Sequence, residues 1–278
     1  MSDTVPDWTE PVMRTGYAAR GIVYSLLGGL TMVGSWSGGQ TEGTTGALAT
    51  LKDSPGGIAL LYIIAAGLVC YGVWRIIAAY YDLERRGDDK EGFAKRAALV
   101  VTGLIHIVMG GVVASIAYGI TSGGGDGAQD MTARVMEWPY GRWIVAVVGL
   151  TFVGAGIHYA LKGWQEKYKR YIRVTETSRQ LDPVMRFGFI AYGAVLLIVG
   201  IFIALAGVTT DPSEAKGIGD ALTYIRGMMF GRILLFLVGF GIVGFGLENF
   251  VEAAYRILPR TASDDTETLA GRLDELTS

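Results

Sequence analysis

Charge is scarce in this chain, cysteine and histidine are nearly absent, and proline is sparse. Only 18% of the 278 residues are charged while 51% are hydrophobic, too apolar a balance for an ordinary soluble domain. Cys70, the single cysteine, lies inside an apolar run, which excludes an intramolecular disulfide and a cysteine metal cluster. The sequence holds no Ser, His and Asp set, no His-Glu-Xaa-Xaa-His, and no glycine run ahead of a Lys-Ser or Lys-Thr pair. Nucleophilic catalysis, zinc catalysis and phosphate cradling have no foothold, so neither an enzyme, a metal nor a cofactor is expected. Nor is a nucleic-acid partner. The first ten residues carry Asp3, Asp7 and Glu10 without a basic n-region or an Ala-Xaa-Ala site, so no cleaved signal peptide is expected and the first apolar run should serve as its own anchor.

What the chain has in quantity is uncharged length. Arg20 to Glu42, Asp53 to Arg75, Arg96 to Asp126, Arg142 to Lys162 and Arg186 to Asp211 each enclose roughly 19 or more uncharged residues, enough for a helix to cross about 30 Å of hydrocarbon. A sixth run follows Arg232 and is broken by Glu248. Lipid leaves every backbone N–H and C=O to be paired within its own segment, so these runs read as helices. An all-α membrane protein follows, with six transmembrane helices near 16–36, 57–80, 97–119, 142–162, 187–208 and 232–255.

The basic residues set the orientation. Arg85, Arg86, Lys90, Lys95 and Arg96 stand between spans two and three, and Lys162, Lys167, Lys169, Arg170, Arg173 and Arg179 between four and five, which marks those connections as cytoplasmic. The other connections carry only Lys52, Arg134, Lys216 and Arg226 and include Gly123-Gly124-Gly125. They face outward, which places both termini in the cytoplasm.

The spans are copies of one unit. Pro-Val-Met-Arg-Xaa-Gly opens at Pro11 and again at Pro183, and Arg14, Gly21 and Gly28 reappear as Arg96, Gly103 and Gly110 and then as Arg186, Gly193 and Gly200. Two-helix repeats are read over 11–82, 93–168 and 183–256, between an N-terminal tail at 1–10 and an acidic amphipathic C-terminal tail at 259–278 carrying Leu269, Leu273 and Leu276. An even number of helices per unit makes every copy enter the membrane in the same direction, so the copies can be related only by an axis along the bilayer normal. A pseudo-threefold bundle is the simplest such arrangement. Each outward connection ends in apolar residues at helical spacing and then a breaker, at Pro55-Gly56-Gly57, Pro139-Tyr140-Gly141 and Phe230-Gly231, which suits either a short amphipathic helix on the outer surface or an ordered loop packed on the helix ends. The many glycines inside spans read as a packing code, since close backbone approach replaces the missing hydrophobic drive between helices in lipid.

Polar side chains within the spans are few. Aligning the even helices on Gly72, Gly156 and Gly246 brings Trp74, His158 and Glu248 to one equivalent position and Arg75, Tyr159 and Asn249 to the next. Glu248 is the strongest signal, because a carboxylate well inside a span costs about 2.5 to 3.5 kcal/mol unless paired or protonated. It either pairs with a neighbouring basic residue near the cytoplasmic headgroups and locks the helices, or serves a site, and in both readings it is expected to point into the bundle toward His158, Arg75 or a bound polar group. His106 aligns with Tyr24 and Leu196 and reads first as an interhelical hydrogen bonder. A haem held by His106 and His158 would need both at one depth, whereas they differ by about 9 Å counted from the cytoplasmic ends. Arg14, Arg96 and Arg186 recur where each odd helix starts, as headgroup anchors or as a ring binding an anion or lipid phosphate. Tyr17, Tyr24, Tyr71, Tyr80, Tyr81, Trp138, Tyr140, Trp143, Trp164 and Tyr168 fall near span ends, as an interfacial belt requires.

The openings Arg14-Thr-Gly-Tyr-Ala-Ala-Arg-Gly21 and Arg186-Phe-Gly-Phe-Ile-Ala-Tyr-Gly193, with Gly67-Leu-Val-Cys-Tyr-Gly-Val-Trp-Arg75 and Asp211-Pro-Ser-Glu-Ala-Lys-Gly-Ile-Gly219, resemble the bacterial family called domain of unknown function 1206. The resemblance implies a six-helix protein of the bacterial inner membrane built from three tandem two-helix repeats, and it implies no activity. The middle copy departs from the pattern at Leu99 to Thr102 and gains His106. The expected function is non-catalytic binding of a lipid, a small hydrophobic ligand or a membrane partner, including another copy of the chain, through the Gly-packed bundle. The alternatives are a channel or small-solute transporter with its path along the pseudo-axis and, remotely, a haem-bearing electron carrier, which a Soret band would reveal.

Overall fold

A computed structural model describes residues 6–37, 43–120, 127–173 and 175–257. The acidic tail at 259–278, the first five residues and the Gly123-Gly124-Gly125 stretch lie outside the described residues.

A long helix, a short helix and a second long helix follow one another three times. The first set is α1 (Thr9–Ser37), α2 (Thr44–Lys52) and α3 (Gly57–Tyr80). The second is α4 (Lys90–Tyr118), α5 (Gly127–Met136) and α6 (Gly141–Trp164), and the third is α7 (Glu176–Thr209), α8 (Ile218–Gly227) and α9 (Gly231–Tyr255). The long odd helices begin well before the uncharged runs. α7 is 34 residues, about 51 Å at the helical rise, so its first turns extend beyond the hydrocarbon. Side chains cap these starts: Asp89 accepts from the Gly92 amide, and Thr175 and Ser178 exchange hydrogen bonds in a capping box.

α3, α4, α6, α7 and α9 are long and apolar enough to cross a membrane. At 29 residues α1 matches them in length, but Arg20, Ser25, Thr31 and Ser35 lower its hydropathy below theirs. Five helices, not six, therefore meet the length-and-composition criterion among the described residues.

The turn from each short helix into the next long one has the same construction. Gly56, Tyr140 and Phe230 take left-handed backbone, with φ of 75°, 63° and 60°. The glycine that follows has no room for a side chain. A Cβ at Gly57, Gly141 or Gly231 would lie 1.6, 2.0 or 1.9 Å from the carbonyl oxygen of Leu51, Val135 or Arg226 in the helix just left behind. The breakers read in the sequence therefore fold the chain sharply back. The apolar faces of α2 and α8 pack inward through Leu48 and Leu222, both fully buried.

Long helices of successive repeats meet at paired glycines. Gly72 crosses Gly103, Gly156 crosses Gly193, and Gly246 crosses Gly21, each at a separation where a Cβ would strike the partner's backbone. One or two turns further along the same interfaces, Gly110 meets Ala65, Gly200 meets Gly149 and Gly28 meets Gly239. Within the first repeat, α1 and α3 meet where Gly16 faces Tyr71 and Ala19 faces Gly67. The third repeat reproduces this, with Gly188 against Phe245 and Ala191 against Gly241.

In the middle repeat the corresponding residues are Ala98, Val101, Thr151 and Ala155. The added bulk of Val101 and Thr151 replaces an alanine and a glycine, and α4 and α6 form no packed interface. Helix packing thus runs in the order α4, α3, α1, α9, α7, α6, and the two ends stay apart. Two positions record the opening. Val101 is 54% exposed where its counterparts Ala19 and Ala191 are 4% and 6%, and Ile105 is 49% exposed where Val23 and Val195 are 5% and 1%.

Candidate functional site

The interior facing the open ends of α4 and α6 is polar and centred on Arg20. This residue of α1 is only 4% exposed, and its Nη1 donates to the Tyr71 hydroxyl at 2.6 Å. The guanidinium carbon stands 4.4 Å from the Tyr71 ring centre, 5.3 Å from Tyr24 and 5.7 Å from Phe245. Aromatic faces attract a desolvated cation, but they supply no acceptor for its N–H groups. Arg20 Nε is buried without a partner, and among the described residues no carboxylate lies within 4 Å of the guanidinium. Arg20 bounds its uncharged run and stands six residues, about 9 Å, further along α1 than Arg14.

Both open-ended helices reach this interior. From α6, Tyr159 packs against Tyr192 and Phe245 with ring centres 5.2 and 5.6 Å apart. From α4, His106 lies 4.6 Å from the Tyr71 ring. Its Nδ1 is 2.8 Å from the Thr102 carbonyl oxygen, which can only accept, so Nδ1 carries the hydrogen and Nε2 of the neutral ring is left as an acceptor. Tyr24 and Tyr192 close the far side through hydroxyls 2.9 Å apart.

The sequence alignment of the even helices does not assemble one cluster. Glu248 is buried at 3% exposure, one turn from Glu252 and within electrostatic range of Arg20 and Lys162, but it forms no ion pair within 4 Å among the described residues. Trp74 is fully buried in a separate apolar cluster with Met13, Tyr17 and Leu83. His158 is exposed on α6. Asn249 is fully buried and donates to the Phe245 carbonyl, with its own side-chain oxygen unpartnered. Arg75 donates to the Tyr71 hydroxyl at 2.7 Å and pairs with Glu84 at 3.3 Å.

The repeated arginines stand at three separate helix junctions. Arg14 donates to the carbonyls of Ala253 and Ala254 at the end of α9, and Arg96 to those of Ala79 and Tyr80 at the end of α3. Arg186 instead pairs with Glu166, just past α6. A cation at a helix C-terminus satisfies orphan carbonyls and complements the helix dipole.

The aromatic belt needs correction. Tyr80, Trp138, Tyr140, Trp143 and Trp164 are exposed as expected, but Tyr17, Tyr24, Tyr71 and Tyr168 are buried. The first three surround Arg20, Arg75 and Arg256, where their rings meet cations that hydrocarbon would not solvate.

A buried ion network where α3 and α9 end carried no sequence signal. Glu84, in the connection after α3, is 4% exposed and bonds Arg75, Arg86 and Arg256, while Arg256 also bonds Glu252. Burial pushes the Glu84 carboxyl up, but Arg256, Arg75 and Arg86 outweigh it and hold it at about 2. Beside this network the chain after α9 pairs with the chain after α6, where Arg173 donates to the Tyr255 carbonyl and Ile257 to the Tyr171 carbonyl. Glu84 and Arg256 are far apart in sequence, in segments without periodicity, which is why pattern reading passes over them.

The family described as Domain of Unknown Function (DUF1206) matches residues 15–82, 97–166 and 187–256, more than half the chain, as three tandem copies. The chain belongs to this family. It is also similar to a Bacillus subtilis (strain 168) protein named "Uncharacterized protein YxxB", 25% identical over 253 residues that cover 90% of this chain and 92% of the relative. No solved structure matches. A multi-pass helical membrane protein of bacterial type, built from three repeats, is therefore what sequence, fold and relatives together support.

Proposed function

We propose that the protein is a non-catalytic component of the bacterial inner membrane that holds a lipid or small hydrophobic ligand in the opening between α4 and α6. In this reading α1 is the sixth span, both termini are cytoplasmic, and the repeats surround a pseudo-threefold axis along the membrane normal. The glycine crossings Gly72 with Gly103, Gly156 with Gly193 and Gly246 with Gly21 support that symmetry, since one contact is made three times between successive repeats. The observation that carries the function is the opening itself. Two repeats close on small residues, and the third carries Val101 and Thr151 at those positions and leaves apolar faces of α4 and α6 apart. Tyr24, Tyr192, Tyr159 and Phe245 pack across the interior, which speaks for a bound ligand rather than a path along the axis.

Gly154 of α6 provides the test, because a Cβ there meets nothing within 4 Å while its counterpart Gly244 packs on Val184 of its own repeat. Gly154→Phe should fill the opening without strain and lower the amount of lipid retained in native mass spectrometry. Gly111→Phe, also in open space, should not. Equal lipid retention by Gly154→Phe and the unaltered protein would sink the proposal.

Orientation is tested separately in a Cys70→Ser background. Cysteines at Asp88 and Glu176, both exposed, should be shielded from an impermeant thiol reagent in intact cells, while a cysteine at exposed Asp130 should label. The reverse pattern inverts the topology.

A further inference from the structure

We infer that Arg20 is the anchor for the anionic headgroup of a single-chain amphiphile, whose hydrocarbon chain leaves through the opening between α4 and α6; this rests on the reading of that opening as a lipid site. A guanidinium taken out of water is stable only when its charge and its donors are both met. Around Arg20 the aromatic rings of Tyr71, Tyr24 and Phe245 meet part of the charge and one hydroxyl takes one hydrogen bond. Nε stays buried and unpaired, and no carboxylate of the described residues comes within 4 Å.

The other charged groups facing this interior do not replace a counter-ion. Arg75 shares the Tyr71 hydroxyl with Arg20 and adds a second positive charge. Glu248, the carboxylate in electrostatic range, lies beside Glu252 rather than against the guanidinium. A planar carboxylate or a phosphate presents acceptor pairs that match the free edge of a guanidinium, so an anion is the complementary group.

The position of Arg20 selects an amphiphile over a free ion. It stands about 9 Å deeper than Arg14, which binds the carbonyls at the cytoplasmic end of α9. The route from the membrane runs past Val101 and Ile105, both apolar and exposed where their counterparts in the other repeats are buried. Ala155 stands in the middle repeat where Tyr71 and Phe245 stand in the others, which removes an aromatic ring from the side of α6 that would face α4.

The test uses the full chain in nanodiscs of neutral lipid, with a fluorescent long-chain carboxylic acid and its methyl ester as probes. The acid should bind at least about tenfold more tightly than the ester, a difference of about 1.4 kcal/mol. Arg20→Gln should abolish that preference while leaving ester binding, and Arg20→Lys should restore part of it. Gly154→Phe should weaken both probes alike. Equal binding of acid and ester to the unaltered protein overturns the headgroup assignment while leaving the lipid reading in place, and it needs no variant to fold. Binding of neither probe overturns both. Displacement of the acid by millimolar inorganic phosphate, with no effect of Gly154→Phe, would assign Arg20 to a free anion and overturn the amphiphile.

Discussion

Arg256→Met is expected to destabilise the protein by about 3–5 kcal/mol, read as a large fall in the thermal unfolding midpoint in detergent. The arginine is 7% exposed and bonds both Glu84 and Glu252, which are 4% and 1% exposed. Methionine keeps the volume but leaves two carboxylates buried without their shared cation. The same network makes stability depend on pH in the acid range. Glu84 is held at about 2 against an ordinary value of 4.5, so its folded pKa is depressed. Its contribution to stability is complete above its unfolded value and is lost as pH falls from there toward 2. A loss below about 1 kcal/mol for Arg256→Met would mean that the network behaves like a solvated surface pair.

Gly156→Leu should also be damaging, and Gly154→Leu, two residues away on another face of α6, nearly silent. A Cβ at Gly156 would stand 2.7 Å from the Gly193 carbonyl oxygen and 2.7 Å from the Leu197 nitrogen, both backbone atoms that cannot rotate away. The helices must separate, at a cost of roughly 1–3 kcal/mol or more, whereas a side chain at Gly154 enters open space and should stay within about 0.5 kcal/mol. Thermal unfolding of the two variants decides it. Equal midpoints would show that the glycine crossing is not what holds α6 to α7.

The two predictions separate features of different legibility. Gly72, Gly156 and Gly246 were visible in the sequence as recurring small residues on apolar helices, and each meets a glycine of the following or preceding repeat. Periodicity in lipid-facing segments leaves few explanations besides close packing. The short helices α2, α5 and α8 were legible in part, since apolar residues at helical spacing ended by a breaker suited a helix or an ordered loop alike and the structure forms the helix. Aligning Trp74, His158 and Glu248 is repeat arithmetic that assembles no site, because Trp74 is buried in its own apolar cluster, His158 is exposed on α6 and Glu248 lies beside Glu252.

Arg20 shows the limit most plainly. In the sequence it only bounds an uncharged run, inside the span read near 16–36, and nothing there marks it as part of a site. What makes Arg20 notable is the enclosure of its guanidinium by the rings of Tyr71, Tyr24 and Phe245. Those rings come from three different helices, so no window along the chain contains the cluster.

The sequence by itself determined the all-helical membrane class, the three tandem repeats and the glycine contacts between them, because hydropathy, period and side-chain size are properties of the chain read locally. Only the tertiary structure decided that α4 and α6 stand apart, that Arg20 is buried among aromatic rings without a carboxylate beside it, and that Glu84 and Arg256 pair in a buried network where α3 and α9 end. Each of these depends on which side chains face one another across helices, and that is fixed by packing rather than by position along the chain.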